Sequence, residues 1–178
     1  MKKYFADFDL KNFWNDSDYF TSPDEITDER VRQAEEKLGY KLPASYVELI
    51  KTKNGGSPEN WCFPTPKRIA WAETHVAISG IKGLGGTWGI DSDVYGNKHA
   101  VEDGYYPNIG ITICECPSAG HDMLMLDYRK NGNDGEPEVV HVDVESDEPI
   151  ISFLAKDFET FIKGLVGEEF FYKENRSN

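Results

Sequence analysis

The sequence predicts an α+β fold in which an N-terminal helix pair precedes an antiparallel, twisted sheet of about five to six strands and a C-terminal helix. Three observations support this prediction. Apolar residues recur at helical spacing in two short segments before residue 56. Beyond Trp61 the chain divides into short segments that are rich in β-formers and separated by turn residues. A last segment near residue 160 returns to helical spacing.

The first predicted helix lies in the segment ITDERVRQAEEKLGY, where Val31, Ala34 and Leu38 form one apolar stripe. Thr27 is a suitable N-cap residue, and the two acidic residues after it favour the positive end of the helix dipole. Gly39 can adopt the left-handed conformation that ends a helix. Both ends of this helix are therefore marked in the sequence.

The second predicted helix follows after a tight turn, in LPASYVELIKTKNGG. Pro43 is expected at its first position, where the missing N–H leaves no hydrogen bond unmade. Tyr46, Leu49 and Ile50 form the inward face, and the run at 54–56 ends the helix.

Five β-rich segments follow, at 68–78, 109–115, 122–129, 137–145 and 149–155. Turn signals separate them, at 83–86, 103–104, 118–120 and 131–135. This spacing predicts hairpins in an antiparallel sheet with one covered face. In the fourth segment Val140, Val142 and Val144 are expected on one face, and His141 and Asp143 on the opposite, polar face.

We expect one domain over residues 1–178, since 178 residues with 39% hydrophobic content suffice for a single core. The final helix is predicted at 156–166, with Phe158 and Phe161 on its apolar side. The aromatic segment 1–22 is predicted to be a short helix or an extended arm laid against the body. Residues 166–178 form a C-terminal extension whose aromatic residues indicate at least partial docking.

The composition argues against a secreted, a membrane-spanning or a disulfide-stabilised protein. No secretory signal is expected, because acidic residues interrupt the start of the chain, and no segment is long and apolar enough to cross a membrane. Three cysteines without a disulfide-framework spacing fit a reducing, cytoplasmic setting. We expect no cofactor and no metal.

The charge is unevenly distributed along the chain. The totals are 32 Asp and Glu against 19 Lys and Arg, a net charge of −13. Residues 1–100 hold 15 acidic and 13 basic residues, whereas residues 101–178 hold 17 and 6, which is a net charge of −11. A negative surface disfavours direct binding of nucleic acid or of an anionic membrane, and it favours a basic protein partner. An acidic surface that only keeps the protein soluble is the alternative.

Catalytic patterns are weak. Ser118, His121 and Asp122 share one turn and cannot form a relay, and the glycine-rich run at 80–90 lacks the lysine and hydroxyl residue of a phosphate loop. A metal-dependent hydrolase is the better enzymatic alternative. Its ligands would come from His121, Asp127, His141 and Asp143, which lie on strands or turns expected to be neighbours.

A loop surface is the remaining candidate for function. The segment 89–108 combines carboxylates with tyrosines, which is typical of a patch that binds a basic protein. The predicted partner-binding residues are Asp91, Asp93, Tyr95, Glu102, Asp103, Tyr105 and Tyr106. Tyrosines that pack back onto the sheet are the alternative.

The order of motifs resembles the SUKH superfamily, in particular its branch named after a fungal cell-wall-assembly regulator. Over the helix pair the similar positions are Leu38-Gly39, Leu42-Pro43, Tyr46 and Asn54-Gly55-Gly56. Over the strands they are Tyr106-Pro107, Ile109, Gly120, Asp122, Leu126, Asp127 and Tyr128. The resemblance spans a core of about residues 26–165, so the arm and the extension lie outside it.

The resemblance implies a SUKH-like α+β domain without known catalytic residues. Many bacterial relatives are immunity proteins that bind a toxin, often a nuclease, and others are regulatory interaction modules. The first hypothesis is therefore an immunity protein that neutralises a cognate, basic, nuclease-like toxin through its acidic surface. A regulatory adaptor without a toxin partner and the metal-dependent hydrolase are the alternatives.

Overall fold

A computed structural model of the chain describes residues 3–103 and 105–174, with 173 and 174 described by their backbone alone. The helices are α1 Asp28–Leu38, α2 Ala44–Ile50, α3 Phe158–Lys163 and α4 Glu169–Glu174. A 3₁₀ turn occupies Leu10–Asn12 and a π-helical turn occupies His99–Asp103. The strands are β1 Cys62–Pro64, β2 His75–Ala77, β3 Gly80–Ile81, β4 Gly110–Glu115, β5 Asp122–Asp127, β6 Glu138–Asp143 and β7 Ile150–Ala155. The predicted α+β class is confirmed.

The helix pair forms where the sequence places it. The Thr27 side chain caps α1 by accepting a hydrogen bond from the Arg30 N–H at 3.0 Å. Gly39 ends α1 in the left-handed conformation, at φ 75°. Pro43 lies at the N-cap position of α2, one residue before its predicted place in the first turn. Tyr46 and Leu49 are fully buried, because the inward face of α2 packs on the core.

Strands β3 to β7 form one antiparallel sheet in sequence order, as expected for consecutive hairpins. Strands β1 and β2 form a separate pair, and Cys62 also bridges to Val166 beyond α3. The predicted strand at 68–78 is wrong over most of its length, since only His75–Ala77 is strand. The turn predicted at 103–104 includes Gly104, which lies outside the described residues.

Both faces of the sheet are covered, contrary to the prediction of one covered face. All six residues of β4 are buried. Val140 and Val142 pack on one face against Ala100 and Tyr106, which belong to the chain between β3 and β4. The opposite face carries the main core, which includes α2 and α3.

The prediction that His141 and Asp143 occupy a solvated polar face is wrong. His141 is 1% exposed, and its Nε2 lies 2.6 Å from Oδ2 of the equally buried Asp122. Asp143 is also buried and accepts a hydrogen bond from the Glu145 N–H. The main core side of the sheet thus contains a polar cluster where β5 begins and β6 ends, and in it His141 pairs with Asp122, which lies opposite Asp143 in the ladder.

The two terminal segments pack against the rest of the chain. In the arm Phe5, Phe13 and Phe20 are buried, and the Trp14 indole donates to the Thr52 hydroxyl at 2.9 Å. Near the other end, the Phe171 ring stacks on His75 of β2 with a centroid distance of 4.5 Å. Among the described residues, no helix combines the length and apolar character that crossing a membrane requires.

Candidate functional site

The candidate residues lie in the long connection between β3 and β4, which buried polar side chains hold in place. Lys82 follows β3 and is fully buried. Its Nζ lies 2.7 Å from Glu115 Oε1 and donates to the carbonyl oxygen of Tyr95 at 2.9 Å. A buried cation on the sheet therefore fixes the backbone of the loop at Tyr95.

Asp91 and Asn97 fix the same loop at two further points. Asp91 accepts a hydrogen bond from the Gly85 N–H at 2.7 Å and forms an ion pair with Arg30 of α1 at 2.6 Å. Burial would lower the pKa of Arg30, but its bonds to Asp91 and Asp24 raise it above the ordinary value. The Asn97 amide bonds to the backbone of β4 at both its oxygen and its nitrogen. The loop is therefore tied to both α1 and the sheet.

Two of the predicted partner-binding residues are buried and face inward. Asp91 is 8% exposed because it forms the ion pair with Arg30. Tyr106 is 6% exposed, packs on the sheet and donates its hydroxyl proton to the Gly120 carbonyl at 2.9 Å. Burial also raises the pKa of Tyr106. For these two residues the expectation of a surface position is wrong.

The other five predicted residues are exposed, and we call them the loop surface: Asp93, Tyr95, Glu102, Asp103 and Tyr105. Among the large hydrophobic side chains that the structure describes, Tyr105 is the most exposed, at 83%. Asp93 forms an ion pair with Lys37 of α1 at 2.7 Å, and this hydrogen bond lowers the pKa of Asp93. Glu102 and Asp103 lie 3.9 Å from Lys98 and 3.8 Å from His99, respectively, at distances typical of weak surface contacts.

A row of aromatic rings continues the loop surface, and no sequence pattern predicted it. Tyr95 stacks on Trp88 with a centroid distance of 4.7 Å and an interplanar angle of 24°. Tyr19 of the arm contacts the same indole at 5.4 Å, and His99 contacts Tyr95 at 5.8 Å. Tyr19 and Tyr95 are exposed. Their common contact with Trp88 brings the arm next to the loop surface.

A groove of about 340 Å³ lies between the C-terminal end of α1 and the loop. Lys37 and Gly39 line one side, and Ser92 and Glu102 line the other. The lining contains two carboxylates, of Asp91 and Glu102, and two ammonium groups, of Lys37 and Lys98, so the groove itself has no net charge.

The family model described as SMI1 / KNR4 family (SUKH-1) matches residues 25–164. The chain belongs to this family. The match covers the helix pair, the sheet and α3, so the resemblance that the motif order indicated is confirmed. No curated protein matches the chain. The SUKH-1 family includes immunity proteins as well as Smi1/Knr4-like members, and it is generally non-catalytic.

In this SUKH-1 chain the four ligands of the alternative hydrolase reading do not converge. His121 pairs with Glu145, Asp127 pairs with Arg129 at 2.6 Å, and His141 pairs with Asp122. Asp122 is the first residue of β5 and Asp127 is the last, so Asp127 lies at the other end of the strand from the pair of Asp122 and His141. Over residues 3–103 and 105–174, no group of three or more His, Cys, Asp or Glu side chains is placed to hold a metal.

The hydroxyl of Ser118 and the three thiols have structural roles. Ser118 Oγ accepts a hydrogen bond from the Asp122 N–H at 3.0 Å, which caps the β4–β5 turn. All three cysteines are buried, and burial raises the pKa of Cys62 to about 11. The pKa of Cys114 is raised by burial as well. A thiol that stays protonated at neutral pH is a poor nucleophile.

Proposed function

We propose that this SUKH-1 protein is an immunity protein that binds a cognate toxin, a basic nuclease, and so neutralises it in the cytoplasm. The observation that supports the proposal best is the loop surface, where exposed carboxylates lie among exposed tyrosines. Large aromatic side chains are enriched among residues that dominate binding energy, and complementary charge accelerates encounter with a basic partner.

Inhibition of a nuclease needs only occupation of its cleft. A nuclease binds phosphates, so its cleft carries positive charge. Asp93, Glu102 and Asp103 would occupy positions that phosphates otherwise take, while Tyr95 and Tyr105 supply apolar contact area. No group on this chain has to react.

The buried hydrogen bonds that fix the loop support the same function. Lys82, Asp91 and Asn97 fix the backbone that carries the loop surface before any partner arrives. A surface that is already ordered loses less conformational entropy on binding, and this favours high affinity.

The experiment pairs the protein with the product of the adjacent open reading frame. The triple variant Asp93→Lys, Glu102→Lys and Asp103→Lys should weaken the complex at least about tenfold and abolish protection on co-expression. The matched control reverses three exposed acids elsewhere, Glu59→Lys, Glu73→Lys and Asp147→Lys. This control has the same net charge, so it should keep binding if the position of the charge decides.

Three outcomes would contradict the proposal. The first is that no complex and no protection are found with the wild-type chain. The second is equal loss of binding in both triple variants, which would assign the effect to net charge alone. The third is a stable complex with a neighbouring product that is not toxic, which would favour a regulatory adaptor instead.

A further inference from the structure

A small pocket lies between the loop that joins β1 to β2 and the turn that joins β4 to β5. Its lining includes Ile69 and Trp71 of the loop, His75 and Ala77 of β2, and Asp122, the first residue of β5. Its volume is about 150 Å³, well above the roughly 10–15 Å³ that one water molecule requires. None of the loop-surface residues lines this pocket, so it is a separate feature of the molecule.

One carboxylate in this lining has an oxygen without a hydrogen-bond partner among the described residues. Asp122 is 3% exposed, and its Oδ2 lies 2.6 Å from Nε2 of His141. Its Oδ1 is buried and accepts no hydrogen bond of normal geometry. Buried acceptors are normally paired, because an unpaired one has lost water without gaining a partner. The unpaired oxygen therefore marks a place where a donor from outside the chain can bind.

The groups around Asp122 are poor partners for this oxygen. Burial raises the pKa of the Cys116 thiol, and the neighbouring Asp122 carboxylate raises it further. The thiol therefore stays protonated, but a thiol is a weak donor. In the described part of the chain, no lysine or arginine pairs with Asp122 or with Asp143, which is buried opposite it in the ladder. The carboxylates at this end of the sheet thus have no permanent cation beside them.

The rest of the pocket is aromatic and apolar. The indole of Trp71 lines it and is 46% exposed, so this side chain borders both the pocket and the solvent. The face of an indole attracts a positive charge, and an aliphatic stem packs well on an apolar wall while its charged end keeps polar contacts. A buried carboxylate together with an accessible indole is therefore an arrangement that suits an organic cation.

We propose that this pocket binds a primary ammonium group carried on a short aliphatic stem. The ammonium group donates to Oδ1 of Asp122, and the stem packs on Trp71 and Ile69. A guanidinium group is a poorer fit, because its strong contacts are forks that use both carboxylate oxygens, and His141 already occupies Oδ2. A metal ion is a poorer fit as well, since over the residues that the structure describes no three His, Cys, Asp or Glu side chains are placed to hold one. A free alkylamine and a lysine side chain of another protein carry the same chemistry.

Backbone amide NMR shifts of the full chain test the site, with n-butylammonium as the probe. The shifts should be saturable and should centre on Trp71, Ser118 and Asp122, with a Kd on the order of 1 mM for a ligand of so few atoms. 1-Butanol has the same stem without the charge, and it should bind at least about tenfold more weakly. n-Propylguanidinium has the same charge, and it should also bind more weakly than n-butylammonium.

Two probes distinguish the sources of the ammonium group. n-Butylammonium represents a free amine, and the peptide acetyl-Gly-Lys-Gly-amide represents a lysine on a protein surface. Binding of both probes with similar Kd values would assign the pocket to a lysine side chain. Binding of n-butylammonium alone would assign it to a free alkylamine.

Variants test the two groups that carry the proposal. Asp122→Asn keeps the size of the side chain and removes its charge, so it should weaken n-butylammonium binding at least about tenfold. The matched control Asp143→Asn removes an equally buried carboxylate that does not line the pocket, and it should keep binding. Trp71→Leu removes the ring but keeps an apolar side chain, and it should weaken binding about threefold or more. Its control Tyr105→Leu removes an exposed aromatic ring elsewhere and should leave binding unchanged. If Asp122→Asn does not fold, Trp71→Leu and the series of probes still decide.

Each other result overturns the proposal. The absence of a saturable shift up to about 50 mM n-butylammonium would exclude the site. Equal affinity for 1-butanol would show an apolar pocket in which the carboxylate has no role, and equal affinity for n-propylguanidinium would contradict the choice of an ammonium group. Equal losses in Asp122→Asn and Asp143→Asn, or wild-type binding by Trp71→Leu, would place the amine elsewhere. None of these measurements involves the toxin, so the proposed function is tested separately.

Discussion

Replacing Lys82 by methionine is the sharpest test of how the sheet holds the loop surface. The side chain is fully buried, and its ammonium group has two partners, the carboxylate of Glu115 and the carbonyl oxygen of Tyr95. Lys82→Met keeps most of the buried volume and removes only the charge and its hydrogen bonds. The variant therefore isolates the polar contribution from the packing contribution.

The expected loss of stability follows from the carboxylate of Glu115, which stays buried after Lys82 is replaced. Glu115 is 8% exposed and would keep a buried carboxylate without its cation. Removing one partner of a buried ion pair costs about 3–5 kcal/mol, because the remaining charge stays out of water. For a chain of this length a loss of 1 kcal/mol lowers Tm by roughly 2–4 °C, so the expected decrease is roughly 6–20 °C.

The assay is urea and thermal unfolding of three variants, Lys82→Met, Glu115→Gln and the double variant. The double variant should lose much less than the sum of the single losses, because neither buried charge is then left unpaired. Trp88, whose ring stacks on Tyr95, is one of four tryptophans, so a change in tryptophan fluorescence below the unfolding transition would accompany loosening of the loop. A loss below about 1 kcal/mol for Lys82→Met, the range of exposed pairs, would refute the reasoning.

The remaining predictions concern the core, the thiols and pH. Leu49→Ala should lower the free energy of unfolding by about 2–5 kcal/mol, because the side chain is fully buried; wild-type stability in urea would contradict this. The cysteines should react with a thiol reagent at pH 8 only after denaturation, since they are buried and the pKa of Cys62 is about 11; rapid labelling of the native chain would be inconsistent. Burial alone would raise the pKa of Asp127, but the hydrogen bonds from Arg129 lower it below the ordinary value. The pair between Asp127 and Arg129 therefore stabilises the fold at pH values above the ordinary Asp pKa. Arg129→Ala should cost about 1 kcal/mol or less at pH 7, and the cost should shrink as the pH falls below about 4; a cost that is the same at both pH values would count against the pair.

The helix pair was predictable because its signals are local. Thr27 and Gly39 act on backbone groups within a few residues, and their caps form as expected. Alternation predicted β6 and most of its bounds for the same reason. The long segment at 68–78 failed because a strand needs a neighbour, and only His75–Ala77 has one, in β1.

Which face of the sheet meets water could not be predicted from alternation alone. His141 and Asp143 alternate with valines, and this pattern is typical of a half-exposed strand. The chain between β3 and β4 covers the valine face, however, and the polar residues lie on the side of the main core. Asp122, from the next strand, provides the partner that makes burial of His141 tolerable. Such a pair is set by register between strands, which no single segment encodes.

Acidic residues counted along the chain overstate the charge that a partner meets. Among the described side chains after residue 100, the buried acids are Glu115, Asp122, Asp127 and Asp143. Glu115 lies beside Lys82 and Asp127 lies beside Arg129, so much of the field of these two carboxylates is cancelled locally. A basic partner would respond instead to the carboxylates of Asp93, Glu102 and Asp103, whose contacts with Lys37, Lys98 and His99 are exposed to solvent and can be exchanged for contacts with the partner. Two of these three follow residue 100, so the acidic half contributes to the loop surface through position and exposure more than through its total of −11.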